Sequence, residues 1–388
     1  MLSTASSCPR RGVREAGLVR RCCHDRRSCP HPLIRLVRCR RLEPPPIPQP
    51  GSCLVSQART VLELIQARRR DDALELVRSA ARDAGLAAAV KLLAEVQRKV
   101  GDLWQHNELT VADEHASTAI VDLALAAACF EADRRRHAPE GTVVVACAEE
   151  EWHVMPARMF AEQVRAAGWD VVFLGASTPA EHLQRFVAAE RPAAVAVSCT
   201  VPLYLHGARR AISASHAAGV PVLAGGAAFG TARNRAAAIG ADAWAPTLDG
   251  AVATLSRWVS DRPPLAAPLV DEAPALAAGA ERPLIVERAM SSPADRFPPL
   301  ADYANWQLAR TREDLDYILR FVEASLLTGD DSIITGFASW LKSVLAARGL
   351  PDGIVPLGIS VLHECLPEGL NEVDRLLTVM KAASTAGE

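Results

Sequence analysis

The hydrophobic period of the chain changes at Gly141, and no other feature limits the fold as much. Five short apolar runs follow: GTVVVACA (141–148), DVVFLG (170–175), AAVAVSC (193–199), VPVLAGG (220–226) and ADAWA (241–245). Helical stretches separate them. Strands that are apolar on both faces and alternate with helices belong in a parallel sheet covered on both sides.

Upstream, the pattern is helical over residues 54–135. One helix opens with Val61, Leu62, Leu64 and Ile65, and a second runs through Ala73–Ala84 to Gly85. A third covers Leu86–Trp104, and a fourth covers Val111–Glu131, its start fixed by the capping-box spacing of Thr110 and Asp113. Short connections between four helices predict an antiparallel bundle. Downstream, Leu315, Ile318, Leu319, Val322 and Leu326 share a helical face, as do Phe337, Trp340, Leu341, Val344 and Leu345. Val373, Leu376, Leu377 and Met380 mark a last helix. The expected class is α/β plus all-α. A four-helix cap spans 53–137, and a flavodoxin-like, five-stranded, doubly wound parallel sheet spans 138–260. A linker rich in Pro and Ala spans 261–299, and an all-helical domain spans 300–388.

Residues 1–52 read as a disordered Arg/Cys/Pro-rich tail closed by the run EPPPIPQPG. Residues 1–50 hold eleven Arg and three acids, so the rest of this chain of net charge -2 carries -10. An acidic main body argues against nucleic-acid binding, which needs clustered cations. No apolar run reaches the length of a membrane span, and the tail has no apolar segment of a signal peptide. Six of the ten Cys lie in the first 53 residues, at spacings that repeat no C-x2-C zinc pattern. Cys129, Cys147, Cys199 and Cys365 are scattered, as buried thiols in a reducing cytoplasm would be.

Ligands of a doubly wound sheet bind beyond the carboxyl ends of its strands, where strand order reverses. Three loops converge there: EEEWHVMP (149–156), Ser198-Cys199-Thr200 and Gly225-Gly226. Taken singly, each has an ordinary reading as a solvated loop His, a helix cap or a turn.

Together with the upstream bundle they resemble the cobalamin-binding module, whose motifs are D-x-H-x-x-G after the first strand, S-x-L or S-x-T after the third and GG after the fourth. The resemblance implies that His153 is the lower axial ligand of cobalt and that Glu151 holds its other ring nitrogen. Trp152 and Val154 flank this ligand in the cofactor-binding set. It further implies that Ser198 and Thr200 line the slot for the nucleotide tail, with Gly225 and Gly226 letting the tail pass close to backbone. Two positions depart from the pattern: Glu151 replaces Asp, and Pro156 replaces Gly.

Trp104, Glu114 and His115 fall at one tip of the bundle. Their Trp-x9-Glu-His spacing resembles that of light-sensing cobalamin proteins, the adenosylcobalamin-dependent repressors and their relatives. That resemblance implies a Trp packed on the upper adenosyl group and a Glu-His pair beside it. An indole offers the nucleoside a flat surface. Those repressors carry a helix-turn-helix, and the tail here is too short and irregular for one. Gln105 follows the Trp, so His106 is the nearest imidazole for an upper ligand after photolysis.

A cobalamin light-sensor module followed by helices resembles the photocobilins in arrangement, which implies biliverdin as a second chromophore. Trp306, Tyr317, Phe321 and Trp340 could wall a bilin pocket, and Arg310, Arg312 or Arg320 could take its propionates. His363 and Cys365 lie close together as bilin candidates, and Cys365 could form a thioether link. The sequence reading is thus a cytoplasmic, non-enzymatic, adenosylcobalamin-dependent light sensor, working as a homo-oligomer with a downstream signalling protein and with neither nucleic acid nor membrane. A corrinoid methyl carrier serving partner methyltransferases and a cobalamin storage protein are the alternatives.

Overall fold

The structure is a computed structural model that describes residues 50–132, 140–291 and 303–385. Residues 1–49 of the tail, with its cysteines, lie outside the described residues, and its last three residues open the first helix instead of being disordered.

β1 (Thr142–Cys147), β2 (Asp170–Gly175), β3 (Ala194–Ser198), β4 (Val222–Gly225) and β5 (Ala243–Trp244) form one parallel sheet in the order β2-β1-β3-β4-β5. β1 and β3 occupy its middle and are buried on both faces, which is why they read as unbroken Val/Ala runs. Register sets Cys147 beside Ser198 and Ser198 beside Gly225. The loops that follow β1, β3 and β4 therefore leave the sheet side by side, at the point where strand order reverses.

α5 (Met155–Ala166), α6 (Ala180–Glu190), α7 (Leu205–Ala217), α8 (Asn234–Ala238) and α9 (Leu248–Ser260) cover the two faces. Gly226 has φ +105°, and a Cβ there would stand 2.2 Å from the Cys199 carbonyl oxygen. The second glycine of the pair is thus closed against the chain's own backbone, whereas a Cβ on Gly225 would meet nothing within 4 Å.

The helical bundle comprises α1 (Pro50–Gln66), α2 (Arg70–Ala84), α3 (Leu86–Gln105) and α4 (Val111–Glu131). Thr110 and Asp113 make the expected capping box. The bundle core is built from Val61, Ile65, Val77, Leu93, Val96 and Leu125, and it also takes in Met155 and Met159 of α5. The first sheet helix is therefore anchored in the cap.

The expectation of a linker over 261–299 needs correction. α10 (Ala273–Met290) occupies much of it, with Ala275, Ala278, Ile285, Val286 and Ala289 buried. Pro274 sits in its first turn, where a missing N–H costs nothing, and Pro283 is tolerated inside it. Composition hid this helix, because its buried face is mostly Ala. α11 (Asn305–Thr328), α12 (Ser332–Ala347), α13 (Ile354–Glu364) and α14 (Asn371–Thr385) complete the chain. They do not enclose a separate core. Val322, Ile334, Ile359 and Leu377 belong to one continuous cluster with Val144, Val197, Ile212 and Phe229 of the sheet domain. Among the described residues, no helix is long and apolar enough to cross a membrane.

Ion pairs join α10 to α11, and one of them is buried. Glu323 is only 7% exposed, and both its oxygens accept from Arg282 at 2.9 Å. Burial outweighs the pull of Arg282 and pushes the carboxyl up to about 7. Between pH 4.5, its ordinary range, and about 7 the folded chain holds a proton that the unfolded chain has lost. Stability should therefore fall as pH rises through that window, by on the order of 3 kcal/mol. Urea unfolding at pH 5 and pH 8 checks this: Glu323→Gln should flatten the dependence, and a wild-type midpoint equally high at both pH values contradicts it. Gly226→Ala should cost roughly 3 kcal/mol through backbone strain and the clash with Cys199, read as a lowered urea midpoint with unchanged slope.

Candidate cobalamin site

The site is organised by Glu151, which is fully buried in the loop after β1. Its Oε1 accepts from the backbone N–H of His153 at 2.8 Å and from the ring Nδ1 of His153 at 2.6 Å. Its Oε2 accepts from the backbone N–H groups of Thr200 and Val201 at 2.7 and 3.1 Å, in the loop after β3. One carboxylate thus ties two of the three converging loops together. Burial alone would push it up, but the hydrogen bonds from His153 and Thr200 outweigh burial and hold it below its ordinary value.

An ionised Glu151 requires His153 Nδ1 to be the donor. The lone pair of the neutral ring is then on Nε2, the tautomer a metal ligand needs. The hydrogen bond to Glu151 raises the imidazole pKa against the opposing effect of burial, and Glu114 of α4 adds to the rise from across the cap–sheet junction. The His153 side chain is 57% exposed, so Nε2 is within reach of a ligand.

Both departures from the motif are accommodated. The longer Glu151 side chain reaches the imidazole. Pro156 falls in the first turn of α5, where its missing N–H is no loss.

The hydroxyl of Thr200 is buried and has no hydrogen-bond partner. Ser198 is buried at the end of β3. With the open space above Gly225, an unpartnered hydroxyl and a free imidazole nitrogen over an oriented ring fit a corrinoid with a tail entering the sheet. The residues that would hold it are His153 at the metal, and Ser198, Thr200 and Gly225 at the tail. Trp152 is 70% exposed beside the ligand, and Val154 packs inward against the α5 side of the sheet.

The upper-face residues do not all meet. Glu114 accepts from Thr118 at 2.8 Å, and His115 pairs with Glu114 at 3.4 Å. His106 is exposed, with Nδ1 bonded to the Asp102 carbonyl at 2.7 Å. Trp104 turns instead to α12, where its ring lies 6.3 Å from that of Trp340 and 5.0 Å from the guanidinium carbon of Arg348.

The groups expected around a bilin are engaged with one another or with nearby acids. Phe321, Phe337 and Trp340 form a stack. Arg310 pairs with Glu313, Arg312 with Glu287, Arg320 with Glu150, and His363 with Asp374. Trp306 is exposed on α11.

Sequence reasoning missed Glu150 and Gly207. Glu150 adopts a left-handed φ of +68° and pairs with Arg320 of α11, so the C-terminal helices grip the residue next to Glu151. A Cβ on Gly207 would lie 2.5 Å from the Glu149 carbonyl, which brings α7 against the same loop. A glycine inside a helix was the available signal. Cys147 and Cys199 are not reactive groups here: burial pushes Cys147 up to about 12 and Cys199 well above its ordinary value.

Comparison with known proteins agrees with this geometry. Residues 141–255 match a family model described as B12 binding domain, and residues 57–128 match a second model of the same description. The HTH-type transcriptional repressor CarH of Myxococcus xanthus is 34% identical over 146 residues, covering 37% of this chain and 48% of the repressor. The chain thus spans about half the length of that relative. The monomethylamine corrinoid protein of Methanosarcina barkeri aligns with 19% identity and TM-score 0.44, over 51% of this chain and 96% of that one. A cobalamin-binding protein from Desulfitobacterium hafniense DCB-2 aligns with 22% identity and TM-score 0.30, over 53% and 98%. With a helical B12-binding cap over 57–128 and a B12-binding α/β domain over 141–255, the chain is a cobalamin-binding protein.

Proposed function

We propose that the chain is an adenosylcobalamin-dependent light sensor and not an enzyme. The observation that carries the reading is the His153–Glu151 pair, an imidazole fixed in the metal-binding tautomer beside a buried, unpartnered Thr200 hydroxyl. Adenosylcobalamin, when bound, would supply a cobalt–carbon bond weak enough for visible light to break. The chain supplies the rest. His153 would hold the metal, Glu151 orients His153, and Glu114 with His115 would offer a carboxylate and an imidazole to ribose hydroxyls. Similarity to a protein named as a transcriptional repressor supports a regulatory over a catalytic role. The Trp-x9-Glu-His spacing supports light as the stimulus.

The anchoring of Met155 and Met159 in the cap core gives the signal a route. Any shift of the cap bundle moves α5, and with it the loop that carries His153. A ligand changes the population of two arrangements only if it binds them unequally.

The spectrum of protein loaded with adenosylcobalamin in darkness should change after green light, and gel filtration before and after should show a change in self-association. A spectrum indifferent to illumination, with cobalamin still bound, leaves a methyl carrier or storage protein as the better reading. Glu151→Gln should weaken cobalamin retention by roughly 10–100-fold, the usual cost of losing the partner that orients a metal-bound His. His153→Ala should weaken it at least as much. Equilibrium dialysis measures both, and wild-type affinity in His153→Ala removes His153 from the metal.

A further inference from the structure

We propose that Trp340 of α12 and Arg348 just past its end determine which upper ligand the site accepts, because they hold the indole that a nucleoside would need. The inference rests on the reading above, in which Trp104 belongs to the upper face.

Trp104 is not waiting at an open surface. The Trp340 ring lies near-parallel to it at an interplanar angle of 24°. The guanidinium of Arg348 stands over the Trp104 ring and donates to the Trp104 and Gln105 carbonyls at 3.2 and 3.3 Å. Those carbonyls end α3, where the Trp104 carbonyl also accepts from the Asn107 backbone N–H at 3.0 Å, so Arg348 adds a side-chain cap to that helix from another part of the chain. Gln105 adds a bond to Ser343 at 3.2 Å. An indole has two faces, and here a cation covers one of them while a second indole lies nearby. A purine laid on the covered face must displace the guanidinium.

The seat is open to solvent, since Trp340 is 39% exposed. Nucleoside binding and α12 docking are therefore antagonistic, and the antagonism is reciprocal. A cobalamin with a small upper ligand leaves Trp104 to α12. One with a nucleoside pulls Trp104 away from α12 and loosens that end of its packing.

The test compares adenosylcobalamin with methylcobalamin, which share the lower face and the tail. Trp340→Ala and Arg348→Ala should each bind adenosylcobalamin about tenfold more tightly and bind methylcobalamin as the wild type does. Thermal melting establishes that each variant is folded. In the wild type, adenosylcobalamin should speed amide hydrogen exchange over residues 332–347, and methylcobalamin should not. The proposal is overturned if both variants bind both cobalamins unchanged, or if they lose adenosylcobalamin, which would make α12 part of the nucleoside's seat. If the wild type retains neither cobalamin, the reading beneath it fails and takes the inference with it.

Discussion

A buried carboxylate with no cation against it would not survive in this core, and the site is arranged around meeting that cost. Glu151 is out of water, so its charge needs several donors. They come from two loops: the backbone and ring of His153, and the backbone N–H groups of Thr200 and Val201. The same bonds settle three things at once. They keep Glu151 ionised, they fix the His153 tautomer, and they lock the loop after β1 against the loop after β3. The sheet register makes this possible by setting Cys147 and Ser198 in one row.

Much of this was legible in the sequence, for physical reasons that differ by element. The strands showed because central parallel strands are apolar on both faces, so Val143–Val145 and Ala194–Val197 read as continuous runs. The start of α4 showed because Thr110 and Asp113 cap it locally, with no help from tertiary structure. The His153–Glu151 pair showed because its geometry is also local, two residues apart. What failed to show was non-local or masked by composition. α10 was hidden by Pro274, Pro283 and its small Ala face. The grips of Arg320 on Glu150 and of Arg348 on Trp104 join residues more than 160 positions apart, and no pattern of spacing announces them.

Those non-local grips change how the C-terminal helices should be understood. A separate helical domain would have its own core and could dock and undock freely. Here the core is shared with the sheet, through Val322 and Ile334 on one side and Val197 and Phe229 on the other. The helices behave as an extension of the sheet domain that reaches around to the cap.

The chain therefore surrounds its crevice from two directions with one continuous body. α11 holds the lower loop through Glu150, whose left-handed backbone stores strain that this pairing helps maintain. α12 holds the cap tip through Trp104, and the ring stack Trp104–Trp340–Phe337–Phe321 runs from that tip back into the core of α11. Phe321 immediately follows Arg320, so the residue that ends the stack adjoins the residue that grips the lower loop. A packed interior passes displacement on because it cannot absorb it. A shift of the loop after β1 thus reaches the cap tip by two paths, α5 through the cap core and α11–α12 through the aromatic stack.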